Sequence, residues 1–151
     1  VSNGALVRGA LNESGEIEHL PFPYGDDTLA AHLVETRLVE RARAADPSVR
    51  DVGDIMAARA LRVPWAVMLT DDFKRHLRFV VDLVNGLFNP KTVVLGGSII
   101  PRVAPLIADW VESGRVQTGE DYEHACTIGA AQLSMRHAIH ALIREESGGT
   151  P

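Results

Sequence analysis

The sequence predicts an α/β protein in which a parallel sheet is covered by long helices, and three stretches carry that prediction. Between 64 and 88, Phe73, Leu77, Val80, Val81, Val84 and Phe88 recur at three- and four-residue spacing, the pattern of an amphipathic helix. Asn89-Pro90 stops that helix, because the residue before a proline is steered away from helical backbone. Directly afterwards, Thr92 to Leu95 is a short, continuous apolar run rich in β-branched residues. Such a run reads as a strand buried on both faces, which belongs in a helix-covered parallel sheet.

The remaining elements follow in order. The chain opens on Val1-Ser2-Asn3-Gly4, an Asn-Gly pair that turns a hairpin with almost no strand before it, so the chain is expected to be a piece of a longer protein. Ala5 to Leu11 and Glu16 to Phe22 are expected to be extended. Pro21, Pro23 and Gly25 then break the chain. Asp26-Asp27-Thr28 supplies an N-cap for a helix over about 27–45, with Leu29, Leu33, Val34, Thr36, Leu38 and Val39 at helical spacing. Asp46-Pro47 ends it, and Asp51 or Asp54 starts a short helix through Leu61. After Gly96-Gly97 a helix is expected over about 103–112, with a brief extended piece from Val116. A last helix over about 122–145 is expected to bury Ile128, Ala131, Met135, Ala138, Ile139 and Leu142. Residues 1–146 thus form one unit, and 147–151, composed of Ser, Gly, Thr and Pro, a disordered tail.

At 151 residues the chain is long enough for a true hydrophobic core. Its net charge is −5 and its arginines are interspersed with acids, so it has no basic stripe of the kind that grips nucleic acid. One cysteine, Cys126, excludes an internal disulfide and a multi-cysteine metal site, which fits a reducing cytoplasm. No apolar run reaches the roughly 20 residues of a membrane span, so no membrane partner is expected.

Candidate binding residues gather in three segments. Arg8-Gly9-Ala10 is followed by Gly15-Glu16-Ile17-Glu18-His19, which sets a carboxylate and an imidazole three residues apart; together they offer the mixed donors and acceptors that sugar hydroxyls need. Asn89-Pro90 through Gly96-Gly97-Ser98 joins a helix stop, a strand and a flexible glycine pair that lets backbone approach a ligand closely. Ile128-Gly129-Ala130-Ala131 opens the last helix with small residues.

In this order the segments resemble the C-terminal half of the ROK family, which joins bacterial sugar kinases and sugar-responsive repressors. The resemblance implies the C-terminal lobe of an actin-like, ribonuclease-H-like fold, with Glu16 and His19 as sugar contacts and Gly96 and Gly97 on the nucleotide side. Leu33-Val34-Glu35-Thr36 resembles the stretch that holds a further sugar-contacting glutamate, which makes Glu35 a third candidate. Two departures stand out. Glu18 replaces the glycine before the family's histidine, and Pro21 to Asp27 replaces its cysteine-rich zinc loop, so no zinc or other metal is expected.

The resemblance implies a sugar-sensing or dimerising part of a ROK-type transcriptional regulator, homo-oligomeric and contacting DNA only through an upstream domain. One alternative is the C-terminal half of an ATP-dependent sugar kinase, whose catalytic aspartate and phosphate-binding glycines would also lie upstream; ATP is a ligand only in that case. A second alternative is a vestigial oligomerisation scaffold. Other polar residues read more simply. His137 and His140 lie on a solvated helix face, Cys126 is a small packing residue, Asp71-Asp72 caps a helix, and Lys74, Arg75 and Arg78 form a solvated basic turn.

Overall fold

A computed structural model describes residues 10–11, 15–21, 27–119 and 125–147; side chains in the last of these ranges are described at 127–136 and 138–139. Most of the expected strand over 5–11, most of the loop between Pro21 and Asp27, and residues 148–151 lie outside these ranges, and the described end of that strand, Ala10–Leu11, is a turn. The described chain is mostly helical, with one small parallel sheet. It is therefore α/β in the broad sense.

The core is built where four helices face one another: α2 (Glu35–Ala45), α3 (Val52–Ala60), α4 (Pro64–Phe88) and α5 (Ile100–Glu112). Leu38 and Ala42 of α2, Ile55 of α3, Phe73 and Val81 of α4, and Ile107 of α5 are all buried in it. The expected α4 face delivers Phe73, Leu77 and Val81 to this core. It does not deliver Phe88, which is 73% exposed in the last turn of α4 together with Leu87. Asn89 then takes left-handed backbone, with φ 41° and ψ 53°, closing the helix ahead of Pro90.

Asp51 caps α3 as its sequence indicates: its carboxylate accepts the Asp54 backbone N–H at 3.1 Å. The helix expected over 27–45 is two helices. A short α1 (Leu29–Leu33) ends where Val34 turns extended, and the Val34 carbonyl then accepts the Leu38 N–H of α2 at 3.0 Å. Valine is at home in extended backbone, and the break lets Leu29 bury independently of Leu38 and Val39.

Glu16 to Phe22 is not a strand in its described part. Gly15, at φ 97°, starts a tight turn in which Ile17 and Leu20 close hydrogen bonds to Gly15 and Ile17, so Ile17–His19 is a single 3₁₀ turn. Only Pro21 keeps an extended pairing, an antiparallel bridge to Thr28.

The strand expected over 92–95 is shorter and more open. β1 (Val94–Leu95) pairs in parallel with β2 (Gln117–Thr118), Val94 opposite Gln117 and Leu95 opposite Thr118. The parallel sense is as expected; burial on both faces is not, since Val94 is 59% exposed on a face that no described helix covers. α5 begins one turn earlier than expected, at Ile100, because Pro101 fits the first helical turn. α6 (Ala125–Ser147) leaves Ile128, Ala131, Met135, Ala138 and Ile139 exposed, and none of them belongs to the core cluster. Leu142 lies outside the described side chains.

Candidate functional site

Glu16 and His19 sit at the start and end of the 3₁₀ turn, both at the surface. His19 Nε2 lies 3.5 Å from the Glu18 carboxylate. Among the described residues neither Glu16 nor His19 is bonded to Glu35.

Glu35 has a different environment. It stands in the first turn of α2, where a carboxylate favours the positive end of the helix dipole. Ser98 Oγ donates to its Oε2 at 3.0 Å, and Arg102, in the first turns of α5, donates to its Oε1. Ser98 directly follows Gly96 and Gly97, and Gly97 takes φ 102°, backbone that favours glycine. Two segments singled out separately in the sequence are therefore joined by one carboxylate, 63 residues from its serine partner.

A second constellation was not legible as a site. Asp71 and Asp72 lie in the middle of α4 rather than at a cap. Asp71 pairs with Arg59 at 2.7 Å, on the side of α3. Asp72 faces α1 and α2: Arg41 donates Nη2 to Asp72 Oδ2 at 2.7 Å, and its Nη1 lies 3.0 Å from His32 Nδ1. His32 Nδ1 lies 3.1 Å from the same Asp72 oxygen. One helical turn further on, His76 is buried to 2% exposure and donates from Nδ1 to the Asp72 backbone carbonyl at 2.7 Å.

Electrostatics in this cluster run against ordinary values in two places. Burial works to raise the Asp72 carboxyl, but the contacts from Arg41 and then His32 outweigh it and hold it below the usual carboxylate range. Burial also lowers His76, and the neighbouring Asp72 only partly offsets it. Two shallow grooves reach the cluster. One, of about 570 Å³, runs along Arg41, Trp65, Met68, Asp72 and Arg75; the other, of about 410 Å³, along Asp27, Thr28, His32, Arg37 and Arg41.

The basic turn of α4 is only partly solvated. Lys74 crosses to Asp109 of α5 at 2.8 Å and lies over the Trp110 ring, whereas Arg78 pairs along its own helix with Asp82. The side chains of Cys126, His137 and His140 lie outside the described residues. No described helix is long and apolar enough to cross a membrane. Comparison with family models, curated proteins and solved structures finds no match to this chain.

Proposed function

We propose that the chain is the effector-sensing and self-associating lobe of a ROK-type transcriptional regulator, built on an actin-like fold, with a sugar or sugar derivative as effector. DNA contact is assigned to a separate upstream domain, in keeping with the acidic balance of this chain. The observation that supports this reading best is the Glu35, Ser98 and Arg102 contact, which ties the candidate sugar carboxylate to the glycine loop and the start of α5.

A carboxylate held this way can be exchanged. Sugar hydroxyls arriving at Glu35 replace Ser98 and Arg102 as donors, and the released α5 terminus carries the signal, so binding and movement share one group. Glu16 and His19 complete the sugar contacts, which requires His19 to leave Glu18. Nothing in the reading needs phosphoryl transfer by these residues.

Calorimetric titration with a panel of hexoses, hexosamines and their phosphates tests it. The wild type is expected to bind one of them, and Glu35→Ala and His19→Ala to lose that binding. A sugar bound equally well by both variants would remove the basis of the reading.

A further inference from the structure

We infer that His32 is a proton-operated switch for Arg41. With His32 neutral, the guanidinium is held against Asp72; with His32 protonated, the imidazolium takes that place and Arg41 is released into the grooves beside it. The switch is separate from the Glu35 contacts and independent of the sugar-sensing reading.

Three elements bring three groups to one point: His32 from α1, Arg41 from α2 and Asp72 from α4. Asp72 Oδ2 lies 2.7 Å from Arg41 Nη2 and 3.1 Å from His32 Nδ1, and Nδ1 lies 3.0 Å from Arg41 Nη1. The two neighbours ask opposite things of that ring nitrogen. A guanidinium always donates, so it needs a lone pair at Nδ1; a carboxylate only accepts, so it needs a proton there. With Arg41 seated, the neutral ring therefore carries its hydrogen on Nε2. Protonation puts hydrogen on both nitrogens, which sets N–H against N–H and cation against cation at 3.0 Å, while giving Asp72 a new charge-assisted donor. Arg41 is the more exposed of the two cations and is the one that leaves.

Among the described residues, the charges around this triangle favour the exchange. Asp27, ahead of α1, lies 4.0 Å from His32 Nε2 and favours the imidazolium. On α2, Arg37 and Glu40 share the His32 groove but pair with each other at 2.9 Å. On α4, Arg75 stands 3.7 Å from the other Asp72 oxygen and remains when Arg41 departs. Burial works against the Asp72 charge, but Arg41 and His32 keep its carboxyl below the usual range, so it stays ionised where imidazoles titrate. His76, stacked on His32 with centroids 3.8 Å apart, is lowered chiefly by burial and presents a neutral face to the ring beside it. Arg41 lines both grooves, of about 570 and about 410 Å³, so either has room for the released side chain.

Nitrogen NMR of the full chain, labelled at histidine and arginine, tests this at about pH 7.5 and about pH 5, which bracket the range where imidazoles ordinarily titrate. At the higher pH the His32 ring is expected to carry hydrogen on Nε2 alone and the Arg41 guanidinium to be as ordered as the backbone. At the lower pH both ring nitrogens are expected to be protonated and Arg41 to move freely. In His32→Gln, with folding established by circular dichroism, Arg41 order is expected to be the same at both pH values. Arg41→Met is expected to raise the proton affinity of His32 roughly tenfold, by removing a like charge. That variant carries the test even where His32→Gln does not fold. The inference is overturned by hydrogen on His32 Nδ1 at the higher pH, or by Arg41 order that is unchanged with pH in the wild type or changes equally in His32→Gln. An Arg41→Met chain whose His32 titrates as in the wild type overturns it as well.

Discussion

His32 and His76 stack face to face, with ring centroids 3.8 Å and ring planes 7° apart, so a five-residue helix is fastened to a 25-residue one through two imidazoles. A helix as short as α1 has no stability of its own in water. It depends on this stack, on buried Leu29, and on the Arg41 and Asp72 contacts beside them.

Removing the stack should loosen α1 without unfolding the rest. His32→Ala is expected to cost about 1 kcal/mol in denaturant unfolding. Hydrogen exchange should speed up at the Val34 amide, which closes α1 on Ala30, while the amides of α4 keep their protection. Uniformly faster exchange across α4 would show that the stack supports the core instead.

Burial along α4 separates residues that share one sequence pattern. Phe73, 1% exposed, lies among Leu38, Ile55 and Ile107 in the core cluster, so Phe73→Ala should cost about 3–5 kcal/mol. Phe88, 73% exposed, should cost less than about 0.5 kcal/mol when changed to alanine. Paired urea titrations of the two variants check the difference.

At the start of α3, Asp51→Ala removes the cap on Asp54 and should cost about 1 kcal/mol. Asp54 gives a pH signature. The Arg50 side chain, and then its backbone N–H, hold the Asp54 carboxyl at about 2, below its ordinary 3.8. As pH falls, the unfolded chain takes up this proton first. The stabilisation is therefore complete above 3.8 and is lost as pH falls toward about 2. Asp54→Asn should flatten the dependence of the unfolding midpoint on pH in that window, relative to the wild type.

Helix α6 bears on self-association. Ile128, Leu133, Met135 and Ile139 are all exposed along it. Under the regulator reading this helix meets a second copy. Met135→Glu should leave the melting temperature within a few degrees of the wild type and shift the light-scattering mass toward the monomer. An unchanged mass would assign association to another face.

What the sequence disclosed depends on how local the cause is. α4 runs over the residues its periodicity marks, and α3 over those its cap marks, because a proline, a cap or a repeated apolar step acts within a few residues. The break at Val34 was hidden, since one β-branched residue within a run at helical spacing does not by itself announce a break, and α1 and α2 each pack on α4 in the fold. The apolar rows of Val94 and α6 looked like core because period shows which face is apolar and not what covers it. At the site, Glu35 and Gly97 were visible singly, whereas their link through Ser98 spans 63 residues. Asp72 and His76 at helical spacing were the available trace of the second cluster; His32 lies 40 residues from Asp72 and joins it only in the fold.

Hydrogen exchange at the start of α5 reads the proposed exchange of partners at Glu35 directly. With the effector sugar at saturation, the Arg102 and Val103 amides, which bond to the Ile99 carbonyl in the free chain, should exchange faster in the wild type and show no change in Glu35→Gln. Exchange at these amides that is unaltered by a bound sugar, or altered equally in Glu35→Gln, would show that sugar binding does not work through the Glu35 contacts.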